Sequence, residues 1–417
     1  MKIVHAADLH IDSPLKGLER YEGAPHQRVR GATREAFKRV IATALEHRAR
    51  FLVLAGDVFD GDWKDMNTGL FFVRELRALR EVGCDVVLVR GNHDFELTRA
   101  LDYPEHVHEF APPGRGAHSF VFEHEGVAFH GVSYPKQRVE HSLLPDYPEP
   151  IDGALNIGVL HTNATASKAH EAYAPCTVSD LVSKGYSYWA LGHVHSHEVL
   201  HRDPWVVYPG NTQGRSVRET GVKGCVAIEV DAGRIARVDF VKTSVMRYFD
   251  ESIALQADDD RDALHDKVRA RLDEIASASD GELAAVRLRV HGGCRAHGSV
   301  VAEREGIVAQ IRADAIDRGD DVWLEKITLS TSPPTSIEEL RRAKGLLAEL
   351  LQHTERLRTD EGGDLERLAR SLEPIKKKLG KELEELAIDF VNDRELLLRV
   401  LDEAEAILAQ RLTEGAP

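Results

Sequence analysis

The chain has 417 residues, 42% of them hydrophobic and 6% aromatic, with a formal net charge of −15. That length accommodates two or three domains, and no stretch is apolar for long enough to span a bilayer. The acidic balance excludes a stand-alone binder held to nucleic acid by a broadly basic surface, because neutralising phosphates drives such affinity.

The N-terminus, Met1-Lys2-Ile3-Val4-His5, lacks the apolar region and cleavage site of a signal peptide and reads as a strand that begins the fold. Cys84, Cys176, Cys225 and Cys294 stand far apart with no C-x-x-C pair, so reduced structural thiols in a cytoplasmic protein are expected. Val29 to His47 has helical spacing, with Ala36, Phe37, Val40, Ile41, Ala44 and Leu45 apolar. Phe51 to Ala55 is an apolar strand ending in Gly56-Asp57. Leu70 to Leu79 is a second amphipathic helix, and Asp85 to Val89 a strand ending in Gly91-Asn92-His93-Asp94. This βαβαβ order predicts a layered α/β domain with a buried sheet.

Short strands then follow at Phe120–Phe122, Val127–Val132, Asn156–Leu160, Tyr188–Leu191, Glu198–His201, Trp205–Tyr208, Cys225–Val230 and Ile235–Val241, which suits a second sheet packed on the first. Tyr134 to Pro150 reads as a surface loop. Residues 249–333 form a small α+β unit: helices at Asp262–Ile275 and Ile307–Ala315, strands at Ala284–Val290 and Val322–Leu329. Ser332-Pro333-Pro334-Thr335-Ser336 closes it. Beyond, Leu, Glu, Lys, Arg and Ala dominate. Leu383, Ala387, Phe390, Leu397, Leu401, Ala404 and Leu408 form a helical stripe broken at Arg394, after an earlier helix set off by Gly362-Gly363. The expected domains are 1–248, 249–333 and 334–417.

The chemistry is concentrated in D-L-H (Asp8 to His10), G-D (Gly56-Asp57), G-N-H-D (Gly91 to Asp94), His161, and G-H-V-H (Gly192 to His195). Most of these follow the end of an apolar strand. Asp8 and His10, like His193 and His195, have i, i+2 spacing, which on a strand puts both side chains on one side. Asp57 can bridge two ions with its two oxygens, and Asn92 offers a neutral one. Such carboxylate and imidazole donors without thiolate suit manganese, iron or zinc rather than a structural cysteine site. Two ions roughly 3.5–4 Å apart can clamp a phosphate and activate water for in-line attack. His93 adjoins Asn92 but points elsewhere; as a general acid it would protonate a leaving alkoxide, held by Asp60. With 21 histidines, an H-x-H arises by chance, and His193 and His195 alone would read as surface imidazoles. The order of five such segments is what carries weight. His106, His108, His118, His124, His141 and His170 lie in polar stretches and read as solvated.

D-L-H, G-D-V-F-D, G-N-H-D, L-H-T-N and G-H-V-H, in this order, resemble the calcineurin-like metallophosphoesterases. The added unit after residue 248 narrows the resemblance to SbcD-type DNA repair nucleases. H-A-A-D-L-H-I-D-S-P-L-K-G-L and Y-P-G-N-T-Q-G-R resemble their YhaO branch. The resemblance implies a four-layer α/β/β/α sandwich with an α+β capping, DNA-recognition domain and a helical tail. It implies a first metal held by Asp8, His10, Asp57 and His195, and a second held by Asp57, Asn92, His161 and His193, with His93 and Asp60 catalytic. Several such enzymes carry His where this chain has Asp60. Two divalent ions, typically Mn2+, DNA ends as substrate and an SbcC-like coiled-coil ATPase as partner also follow from it; a homodimer is compatible with it, a membrane is not.

Arg215 in Q-G-R reads either as a bidentate phosphate ligand or as a turn residue that packs its loop. Arg90, Arg99, Arg218 and Lys223 form a rim of solvated charges. Two rival functions remain at this stage: a phosphatase or phosphodiesterase on a non-DNA ester, which the acidity favours, and a scaffold for an ATPase through the tail at 337–412.

Overall fold

β1 (Lys2–Ala6), β2 (Phe51–Ala55) and β3 (Asp85–Val89) are apolar runs buried on both faces, and they pair in parallel. Such continuous burial requires cover on each side of the sheet. The computed structural model describes residues 1–13, 25–61, 66–95, 101–164, 173–319, 321–334, 345–359, 363–379 and 393–414. Arg99, His170, Leu383, Ala387 and Phe390 lie outside the described residues.

The first sheet has the order β12-β11-β1-β2-β3-β4, with β11 (Gly224–Asp231) and β12 (Arg234–Lys242) antiparallel at one edge. At the other edge is β4 (Val107–Glu109), whose three polar-flanked residues give no periodicity from which to predict it. The second sheet has the order β5-β6-β7-β8-β10-β9. Its parallel centre is β6 (Val127–Gly131), β7 (Leu155–His161), β8 (Tyr188–Gly192) and β10 (Trp205–Tyr208). β5 (Ser119–Phe122) and β9 (Glu198–Arg202) flank it antiparallel.

The sheets share one core. Ile3, Phe51, Val53 and Val87 from the first meet Phe129, Ile157, Val159 and Tyr188 from the second. Helices α1 (His26–Glu46) and α2 (Met66–Arg80) cover the outer face of the first sheet through Phe37, Val40, Phe72 and Leu76. The outer face of the second is covered by α3 (Val178–Ser183) and by the 134–147 segment. That segment is not the surface loop expected from its prolines and charges. Tyr134, Val139, Leu143 and Tyr147 are buried in it, and the Tyr147 hydroxyl donates to the Val159 carbonyl at 2.6 Å. Isolated apolar residues at irregular spacing anchor it, a pattern without a period to read.

The described chain divides into two units: Met1–Phe249 with Ser279–Val286, and Asp250–Ala278 with Arg287–Pro417. β13 (Met246–Ala254) and β14 (Leu283–Gly293) each give their first residues to the former. In the second unit, α4 (Arg261–Ser279) and α5 (Arg304–Ile316) bury Leu264, Val268, Leu272, Ile307 and Ile311. β15 (Val322–Ser332) supplies Leu324 and Leu329, and Arg287 pairs with the buried Glu325. Helices at Leu346–Thr359 and Arg394–Glu414 meet through Arg358, which pairs with Asp402 at 2.8 Å and Glu405 at 3.0 Å. Leu397 and Leu401 of the predicted stripe are buried, but Ala404 and Leu408 are exposed and Glu405 is buried instead. The stripe ends early because this ion pair, not a leucine, fills the position. No helix among the described residues is long and apolar enough to cross a membrane.

Candidate metal centre

Five loop segments at strand ends meet at one edge of the two sheets. Asp8 N–H donates to the Gly56 carbonyl at 3.0 Å, and His10 N–H to the Asp57 carbonyl at 3.1 Å, so the loops after β1 and β2 run side by side. Asp8, His10 and Asp57 have φ of 52°, 43° and 51°, and His193 has 101°. L-residues adopt this left-handed region rarely, at a cost of roughly 1–3 kcal/mol each. The expectation that strand alternation aligns Asp8 with His10 is therefore corrected: a left-handed turn beyond the strand turns both side chains inward. Two glycines are explained by close approach. A Cβ on Gly91 would lie 2.2 Å from Asp57 Oδ1, and one on Gly192 would lie 1.9 Å from the Ala55 carbonyl oxygen.

Asn92 Oδ1 lies 3.0 Å from His161 Nε2 and 3.2 Å from His193 Nδ1. Asp57 Oδ2 lies 3.4 Å from His161 Nε2 and 3.9 Å from His10 Nε2, and Asp8 Oδ1 lies 3.8 Å from His195 Nε2. Two donors on one ion at about 2.1 Å sit roughly 3.0–3.4 Å apart at right or tetrahedral angles and farther apart at wider ones. The spacings thus match donors sharing ions, with Asp57 between the groups. Asp8, His10 and His195, and Asp8, Asp57 and His161, each converge closely enough to hold an ion. The ring of His10 is 0% exposed, and neither of its nitrogens has a hydrogen-bond partner. Leaving a buried polar group unsatisfied costs about 1–3 kcal/mol. An ion on Nε2 removes that cost. The residues fit a divalent pair.

Tautomers are also set. His161 Nδ1 donates to the Ala55 carbonyl at 2.9 Å, leaving Nε2 for an ion. Burial opposes charge on His161, but Asp57 overrides it and raises the imidazole to about 9. Burial pushes His193 down to about 4, with the His161 charge adding to that, and burial lowers His10 as well. Despite burial, His161 and His10 hold the Asp57 carboxyl well below the usual carboxylate range.

His93 converges with His10 and Asp60, a third group of side chains close enough to hold an ion. Its N–H donates to Asp57 Oδ1 at 2.9 Å, while Nδ1 meets Asp60 Oδ1 at 2.7 Å. That hydrogen bond raises the His93 pKa, and the side chain is 39% exposed. His10 Nδ1 faces the same Asp60 oxygen at 3.7 Å. Arg215 Nη1 lies 3.8 Å from Asp60 Oδ2, which places the guanidinium at the rim.

Several participants gave no signal in the sequence. Glu219 Oε1 receives His195 Nδ1 at 2.8 Å, and it sits in a loop without a recognisable spacing. Asp94 was legible as the last letter of G-N-H-D, yet its role was not. It accepts from Val58 N–H at 2.7 Å and Gly91 N–H at 2.6 Å, tying the loops after β2 and β3 together. Burial and the Asp57 charge raise it to about 7.

The rim of solvated cations needs correction. Lys223 is buried and donates from Nζ to the His195 carbonyl at 2.7 Å, and Arg90 is paired with Glu109; Arg218 is exposed. Asn211 and Gln213 of Y-P-G-N-T-Q-G-R brace backbone: Gln213 accepts from Val245 N–H and donates to the Met246 carbonyl. His106, His108 and His118 are half-buried, bonded to the Leu76 carbonyl, Asp85 and the Pro112 carbonyl rather than solvated.

Residues 1–197 match the calcineurin-like phosphoesterase family, and residues 248–332 match the middle domain of the metallophosphoesterase YhaO. The chain is 36% identical over 241 residues to the uncharacterized metallophosphoesterase YhaO of Bacillus subtilis, covering 57% of this chain and 59% of that protein. It is 26% identical over 284 residues to the DNA double-strand break repair protein Mre11 of Methanopyrus kandleri, covering 59% and 58%. Against the protein of that name from Haloferax volcanii it is 27% identical over 373 residues, covering 87% and 78%. The chain thus spans less than two thirds of the length of the first two relatives. The donor set, the sandwich that presents it and these matches agree: residues 1–197 are similar to the calcineurin-like phosphoesterases, and residues 248–332 to the middle domain of YhaO.

Proposed function

We propose that this protein is a two-metal phosphodiesterase that cleaves DNA. The observation that carries the reading is the buried His10 ring, whose nitrogens make no hydrogen bond, within a circle of carboxylate, amide and imidazole donors. When bound, the ions supply Lewis acidity and lower the pKa of water toward neutrality. Asp8, His10, Asp57 and His195 would hold one ion; Asp57, Asn92, His161 and His193 would hold the other. Oxygen and imidazole donors without thiolate fit Mn2+. His93, kept protonated by Asp60, delivers its proton to the leaving oxygen. Arg215 binds a non-bridging phosphate oxygen.

Similarity to proteins named for DNA double-strand break repair supports DNA as the substrate. We assign residues 249–333 to DNA recognition and the helical region 334–417 to docking of an SbcC-like ATPase. The test is hydrolysis of duplex DNA, single-stranded DNA and a nitrophenyl diester with Mn2+. Cleavage of DNA that His93→Ala abolishes supports the reading; turnover of the diester with both DNAs intact replaces it with a small-ester phosphodiesterase. The net charge of −15 is the observation that favours that second reading.

A further inference from the structure

Glu219 joins two parts of the site that the proposed function treats separately. Its Oε1 accepts from His195 Nδ1 at 2.8 Å and lies 3.6 Å from Arg215 Nη2. Its Oε2 accepts from Arg215 N–H at 2.7 Å and from Asn211 Nδ2 at 2.9 Å. One carboxylate therefore fixes the ring of a first-ion donor, the backbone that carries the rim arginine, and the turn between them. Gly214 permits this: a Cβ there would lie 2.9 Å from the Glu219 carbonyl oxygen.

The hydrogen bond fixes Nδ1 of His195 as the donor to Glu219, and Nε2 is the atom that faces Asp8 Oδ1 at 3.8 Å. A carboxylate behind a ligating imidazole sets its tautomer, holds its plane and increases its basicity. Among the described residues no such carboxylate stands behind the second group. His161 is braced by the Ala55 carbonyl, and Nδ1 of His193 itself faces the second-ion donor Asn92.

We propose that Glu219 is a positioning residue that couples occupancy of the first metal site to the placement of Arg215 on substrate. This rests on the two-metal reading above. Loss of the carboxylate loosens one ion selectively, and it frees the Arg215 backbone at the same time.

The experiment is Mn2+ binding by equilibrium dialysis for the parent, Glu219→Ala and Glu219→Gln, with KM and kcat on a nitrophenyl diester. The parent binds two ions. Glu219→Ala keeps one at parental affinity and weakens the other by about 10–100-fold, with KM raised by the freed arginine. Glu219→Gln, which keeps an acceptor for Nδ1 but not the charge, falls between. It also serves if the alanine variant does not fold. Co2+ substitution gives a readout independent of turnover: the visible band of one ion changes and that of the other does not. Equal weakening of both ions, or two ions bound at parental affinity in both variants, overturns the coupling. A parent that binds no Mn2+ overturns the two-metal reading itself.

Discussion

In the proposed mechanism His93 is the acid and Asp60 the group that orients it, and the division has a measurable sign. His93 works as its protonated form, so activity falls as pH rises through its pKa, which the Asp60 hydrogen bond raises. Asp60→Asn removes that support, and the alkaline fall should move to lower pH. An unmoved alkaline limb would remove Asp60 from this role. Replacing His93 with Ala should cost about 10²–10⁴ in kcat while two ions still bind, as read by dialysis. Metal binding has its own sign. His161 is protonated up to about 9 in the metal-free protein, so ion and proton compete for Nε2, and Mn2+ affinity should rise with pH through the neutral range. Away from the chemistry, His5 lies fully buried between the Tyr188 hydroxyl and the Leu191 carbonyl, each at 3.1 Å. Burial depresses it from 6.5 to about 3. The unfolded chain therefore takes up a proton below pH 6.5 that the folded chain refuses. Stability attributable to His5 is complete above 6.5 and declines toward 3 by up to about 1.4 kcal/mol per pH unit. Urea unfolding of His5→Gln should lose about 2 kcal/mol less than the parent between pH 7 and pH 5. Equal losses would show that His5 titrates normally.

Strand ends are the elements that matter, and the glycines beside them govern how closely they meet. Gly192→Ala drives a methyl into the Ala55 carbonyl where β2 and β8 approach. It should destabilise by several kcal/mol, since overpacking typically costs about 1–3 kcal/mol even where neighbours can move, and it should abolish binding of at least one ion. Gly31 in α1 is the contrast: nothing lies within 4 Å of an added Cβ. Gly31→Ala should raise stability by up to about 1 kcal/mol. Thermal unfolding and dialysis of the two variants check both outcomes; similar melting temperatures would contradict the account of the junction. Most elements were legible because their residues alternate or recur with a clear period. β1, β2, β3 and the eight later strands from β5 to β12 fall within a few residues of their expected places. β4 was not, being three residues long, and neither was β13, whose Arg247, Asp250 and Glu251 mask any alternation. The donors were legible because each follows an apolar run. Glu219 and Lys223 were not, because a carboxylate or an amine in a loop shows its role only when the fold brings His195 beside it.

On the scale of the molecule, the acidic chain and the proposed polyanionic substrate are reconciled by charge placed locally. The ions, Arg215 and protonated His93 would meet the phosphate where it is cleaved, while the bulk of the surface repels it. Binding should accordingly depend on the metal more than on salt: raising salt from 50 to 200 mM should weaken DNA binding by less than the roughly 10³-fold typical of proteins with many phosphate contacts. Residues 248–332, which match a YhaO middle domain, and the helices beyond them are where the proposed partner would add what this surface lacks. Truncation after residue 333 should therefore leave two ions bound and remove co-purification of an SbcC-like ATPase; retained co-purification would place docking elsewhere. The central claim, that one edge of the sandwich holds two ions which cleave DNA, is tested most directly by metal analysis paired with cleavage. The protein dialysed against Mn2+ should carry two ions per chain and degrade labelled duplex DNA, and His93→Ala should carry the same two ions and leave the DNA intact. A parent with no bound metal, or one with two ions that hydrolyses a nitrophenyl diester but no DNA, would contradict it.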